Sequence, residues 1–179
     1  MRKFYRRRRL AALALVLVAV VVVLVLFGTL GTQASTRVQG DYLGPDGESR
    51  AEYIERVNSM DIDPDASTYA LVTFQAELPP VAVAAALTDV PRMDAILMGS
   101  TAPVVVPEPV AGEDRAAVIN RTFDRIGSSF GQRPSAVSAA VVWGRGTQLS
   151  DVASLPVVAA VEPAPVDAAW GSFAVRPPS

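Results

Sequence analysis

The sequence predicts a small α+β domain behind an N-terminal transmembrane helix, and three observations carry that expectation. An unbroken apolar run follows a basic tip. Two strand-helix-strand patterns recur farther along the chain, and between them lies a helix with a single apolar stripe.

The membrane segment comes first. Eighteen apolar residues, "LAALALVLVAVVVVLVLF", run from Leu10 to Phe27. At the helical rise they span about 27 Å, close to the thickness of a bilayer's hydrocarbon core. With the residues to Leu30, the run is longer than the apolar core of a cleavable signal peptide. A small-x-small site ending at Ala34 is the competing reading, in which the anchor is removed. Arg2, Lys3, Arg6, Arg7, Arg8 and Arg9 precede the span, and cations on one flank stay cytoplasmic. The expected order is a cytoplasmic tip (1–9), a span in the plasma membrane (10–30), a flexible stalk (31–47), an extracytoplasmic domain (48–165) and a C-terminal tail (166–179). The tip also faces the anionic lipid headgroups of the inner leaflet.

Composition narrows the chemistry. The 179 residues include no cysteine and no histidine. Disulfides, thiolate nucleophiles, histidine bases and histidine- or cysteine-ligated metal centres are therefore excluded. The only lysine is Lys3, in the basic tip, so a serine-lysine dyad in the outer domain is excluded too. Beyond Gly28 the chain holds ten arginines against all eighteen acids, a local net charge of −8. An acidic domain does not neutralise phosphates, which argues against nucleic acid as a partner.

Each element of the outer domain has a local reason. The stalk carries the turn signals Gly44-Pro45 and Asp46-Gly47. Ser49 followed by Glu52 forms a capping-box pattern, and Tyr53, Val57 and Met60 recur at helical spacing, predicting a helix over 50–59. Asp61, Asp63 and Asp65 imitate the start of a calcium loop. Ala66 and Val72 stand where the loop needs glycine and a bidentate glutamate, so the stretch reads as an acidic turn.

"TYALVTFQ" over 68–75 alternates and is rich in β formers. Pro79 and Pro80 suit a helix start, the alanines after them suit its body, and "MDAILM" over 93–98 is the next strand. The same order returns as a strand over 136–143, a turn at Gly144 and Gly146, a helix near 148–154 and a strand over 157–161. Val90-Pro91 and Leu155-Pro156 occupy matching places, as an internal duplication would place them. Although "WGRGTQ" lies between strand and helix, it lacks the remaining glycine and lysine of a phosphate loop and reads as a tight turn.

Between the two units lie an extended Pro/Val-rich piece and a helix over 113–129. Ile119, Phe123, Ile126 and Phe130 make its stripe, and Gly131 can close it. The strand over 136–143 is apolar on both sides and so is expected to be covered twice. The expectation is a ferredoxin-like core of two β-α-β units whose helices cover one face, with the 113–129 helix covering the other.

Carboxylate-pair chemistry survives the exclusions. Glu48, Glu52, Glu55, Asp89, Asp94, Asp124 and Asp151 are candidates, but no spacing sets two of them across a cleft. The sequence therefore predicts no catalytic, cofactor or metal residue. A glycosylation sequon begins at Asn120 but falls mid-helix. In the tail, Trp170 and Phe173 alternate with small residues and are candidate contacts for docking to the domain or to an envelope partner.

The stretches "RRRRLAALALVLVAVVVVLVLFG", "AEYIERV", "TYALVTF" and "LSDVASLPVVAAVEPAP" resemble actinobacterial single-pass membrane proteins of unknown function. The resemblance implies the topology and transfers no site residue. The expected function is an anchored envelope protein whose outer domain is an interaction or regulatory module. A carboxylate-dependent cell-wall hydrolase and a structural spacer are the alternatives.

Overall fold

The computed structural model describes residues 40–178. The expected tip and membrane segment lie outside the described residues, as does the stalk up to residue 39. Among the described residues no helix is long and apolar enough to cross a membrane.

Seven strands and four helices follow one another: β1 (Tyr42–Leu43), α1 (Arg50–Asn58), β2 (Ser67–Leu78), α2 (Pro80–Ala86), β3 (Arg92–Leu97), β4 (Val104–Val105), α3 (Arg115–Phe130), β5 (Val137–Arg145), α4 (Gly146–Ala153), β6 (Val158–Pro163) and β7 (Ala174–Val175). The main sheet has the order β4-β3-β5-β2-β6, and each neighbouring pair is antiparallel. Both β-α-β units are split. β2 and β3 flank β5, while β5 and β6 flank β2.

Local chemistry accounts for the helix ends. The capping box forms as expected, with the Ser49 N–H donating to the Glu52 carboxylate at 2.8 Å. Asp114 caps α3 by accepting from the Ala117 N–H at 2.7 Å, and Gly131 ends it in the left-handed region at φ 75°. Asp63 Oδ1 accepts from the Asp65 N–H at 3.0 Å and closes the acidic turn.

On the front face, Ala70, Val72, Phe74, Ile96 and Val142 pack beneath Val83 and Leu87 of α2, Ile119 and Phe123 of α3, and Leu149 and Val152 of α4. All three helices therefore share one side, which corrects the placement of α3 on the opposite face.

The back face carries Leu71, Ala95, Leu97, Ala139 and Val141. It is covered by Leu43, Ala164, Ala168, Phe173 and Val175. At its β6 end, α1 lays Tyr53 and Val57 over Ala160. The strand expected to be covered twice is covered by helices in front and by thin chain segments behind.

One expectation about the flanking segments changes, and for the tail the structure selects docking to the domain from the expected alternatives. Residues 40–47, read as stalk, belong to the folded unit: β1 pairs in parallel with β7, and Leu43 is buried. The tail is docked. Arg50, which also donates to Phe74 O at 2.6 Å, donates to Pro178 O of the tail, and Phe173 and Val175 pack on the back face. The physical reason is that composition registers Gly and Pro but not long-range partners, and it is such partners that attach these segments to the sheet.

Candidate functional site

Two concave places on the domain could carry function. The first lies where β1, α1 and β6 meet. It is a hollow of about 600 Å³ lined by Tyr42, Leu43, Asp46, Glu48, Arg56 and Glu162, among others.

Helical spacing puts Tyr53, Arg56 and Val57 on the side of α1 that meets β6. Glu162 stands at the back-face position opposite Leu71 and is only 4 % exposed. It receives three donors: the Gly44 N–H at 2.5 Å, the Tyr53 hydroxyl at 3.2 Å and Arg56 Nη1 at 3.1 Å. The same guanidinium donates through Nη2 to Glu48 at 2.7 Å and through Nε at 3.1 Å.

Electrostatics follow from this geometry. The hydrogen bonds from Arg56 hold the Glu48 carboxyl below its ordinary range, and those two acids push the Arg56 value further up. Burial raises the Tyr53 phenol. A general acid must keep its proton near neutral pH, and Glu48 is displaced the other way. A guanidinium also bridges the two carboxylates, in the kind of space a two-carboxylate hydrolase needs for sugar or water. The arrangement clamps the N-terminal segment, α1 and β6 together.

The other candidate acids are scattered. Glu52 serves the capping box, and Glu55, Asp89 and Asp151 are exposed. Asp124 pairs with Arg133 at 2.6 Å. Asp94 is 3 % exposed at a register shift between Met93 and Ala95. Its Oδ1 lies 2.7 Å from Arg92, and its Oδ2 has no partner among the described residues. Burial pushes its carboxyl up against the opposing pull of Arg92. Asn120 is engaged, donating to Ala116 O at 3.0 Å and accepting from Arg133 at 3.0 Å.

Sequence reasoning missed Arg56 and Glu162. One signal was available, since Glu162 is the lone charge in the otherwise apolar strand "VVAAVEP".

The second place is an apolar groove of about 600 Å³ at the C-terminal end of α3, lined by Met98, Val104, Ile126, Phe130, Pro134 and Ala136, with Glu77 and Arg133 as its charges. The α3 stripe explains it. Ile119 and Phe123 are buried, Ile126 is half-buried and Phe130 is 81 % exposed, so the apolar stripe continues past the part of the helix that the sheet covers. Behind Gly131 the chain turns back, bringing Arg133 over the Phe123 ring at 5.6 Å. Gly127 allows the return, because a Cβ there would sit 2.9 Å from the Arg133 Cβ.

The predicted contact residues of the tail are already in use. The Phe173 ring lies 5.5 Å from Tyr69, Trp170 lies 5.7 Å from Tyr69, and the two tail rings are 6.0 Å apart. Three rings so close form one packed cluster with no slot between them. Trp170 keeps an outer surface and is 36 % exposed. No protein-family model, curated protein or solved structure matches the chain.

Proposed function

We propose that the chain is a single-pass protein of the bacterial cell envelope, with residues 1–9 in the cytoplasm, 10–30 in the plasma membrane and the domain outside, where it works as an interaction module. Its strand order β3-β5-β2-β6 and its two split β-α-β units are read as a ferredoxin-like core extended by β4. That architecture hosts many functions and does not choose among them.

The observation that carries the functional reading is Phe130. A large aromatic left four-fifths exposed beside an apolar groove has no role in this domain's own core, and such patches mark contact surfaces. The hydrolase alternative has less support, because Glu48 and Glu162 share a hollow only through Arg56.

Two measurements test the proposal. A reporter enzyme active only outside the cytoplasm, fused after Ser179, should be active, and cytoplasmic activity overturns the orientation. A photo-crosslinking amino acid at position 130, in intact cells, should give a discrete adduct that the same probe at exposed position 55 does not. Absence of any adduct removes the case for an interaction module.

A further inference from the structure

We infer that the Phe130 groove is where two copies of this chain pair, an assignment that rests on the interaction-module reading and supplies its partner. A two-fold contact requires one patch to present both a projection and the recess that receives it. Phe130 projects, and the recess bounded by Met98, Val104, Ile126 and Pro134 lies directly beside it. Two such patches facing each other bury both phenyl rings, which is where a small contact gathers most of its energy.

Charge favours a second copy at this patch. Residues 40–178 hold nine arginines against eighteen acids, so two domains repel over most of their surface. The groove lining holds one acid, Glu77, and one base, Arg133, and is neutral.

Pairing by sheet extension is blocked at the neighbouring edge. β4 is two residues long and lies between Pro103 and Pro107, neither of which has an N–H to offer a new strand. Contact by side chains at the groove remains open. Copies tethered to one bilayer meet at a high effective concentration, so a patch smaller than a free dimer requires is sufficient.

The chain contains no cysteine, so one introduced thiol reports only its own position. The full-length protein in lipid vesicles, carrying Gln132→Cys at the groove or Glu55→Cys on α1, is treated with a mild oxidant. Gln132→Cys should form disulfide-linked dimer at least about tenfold more readily, and adding Phe130→Asp should remove that advantage, as loss of a central contact does. Phe130 is exposed, so the melting temperature of the Phe130→Asp protein should stay unchanged, and this shows that folding is not the cause. Equal yields at positions 132 and 55, or indifference to Phe130→Asp, overturn the pairing. If the probe at position 130 captures a different protein and no second copy, the pairing fails while the interaction module stands. If it captures nothing, both fail.

Discussion

Gly146 offers a sharp quantitative test of the fold. It is the first residue of α4 and follows β5 with no intervening loop. Its N–H donates to Ala66 O at 2.8 Å, which locks the acidic turn against the helix start. A Cβ at this position would lie 1.9 Å from Asp63 O, 2.6 Å from Asp63 C and 2.9 Å from Pro64 Cα. All three are backbone atoms, so no rotamer change relieves the clash. Ordinary contact requires the turn or the helix to retreat by roughly 1.5 Å, which breaks the bond to Ala66.

Overpacking of this kind costs about 1–3 kcal/mol, and the lost hydrogen bond adds about 1 kcal/mol. Gly146→Ala should therefore destabilise by about 3 kcal/mol, or about 12 °C in melting temperature for a domain of this size. Gly131→Ala is the control: its φ is 75° but an added Cβ meets nothing within 4 Å, so left-handed strain alone costs about 1 kcal/mol. The assay is thermal unfolding of the full-length protein in detergent, followed by circular dichroism. A Gly146→Ala protein that melts within about 2 °C of wild type, or above Gly131→Ala, refutes the close approach.

Three further outcomes follow. Glu162→Ala removes the acceptor of Gly44, Tyr53 and Arg56, and should cost about 2–3 kcal/mol because Arg56 can still reach water. Hydrogen exchange should rise at Ala174 and Arg176, whose N–H groups donate to Asp41 O and Leu43 O, and unchanged protection there contradicts the clamp. Asp94→Asn should flatten part of the pH dependence of stability. The folded state holds this proton more tightly than the unfolded chain, so the contribution is complete below the ordinary carboxylate range and is lost as pH rises through the higher folded value. Denaturant midpoints at low and neutral pH should show the asparagine protein gaining on wild type as pH rises, and a constant difference contradicts this. Trp170→Ala loses its contacts to Tyr69 and Phe173, about 1–2 kcal/mol, and should loosen the tail while leaving α3 protected in hydrogen exchange.

Legibility in the sequence followed the range of the interactions. The α1 capping box, the α3 stripe and its closing Gly131 are set by residues three to eleven apart, and all were readable. The four long strands β2, β3, β5 and β6 were readable because alternation and β propensity are local. The Glu162 clamp was not, since its donors Gly44 and Arg56 lie 118 and 106 residues away. The same distance hid the β1-β7 pair, whose strands are two residues long and read by themselves as linker and tail. The groove was half legible: the stripe named Phe130, but only the extent of the sheet decides that it stands outside the core.

The misplaced face of α3 has a single cause, which lies in β4. Read as an extended connector, Val104–Val105 leaves α3 free to cover either side of a sheet that is apolar on both. Counted as a strand, it changes the topology. β4 and β5 both pair antiparallel with β3, so they run parallel to each other with β3 between them. The path β4-α3-β5 is then a third split β-α-β unit. It moves across the sheet in the same direction as β5-α4-β6, and from a strand of the same orientation as β5. The path β2-α2-β3 reverses both the direction of travel and the strand orientation, which preserves the hand. With one hand for all crossovers, the three helices must lie on one face, as they do. That leaves the other face to α1 and thin chain segments, and its small residues Ala95 and Ala139 suit the close approach of those segments. Two valines at the sheet edge therefore decide which side of the domain carries Phe130.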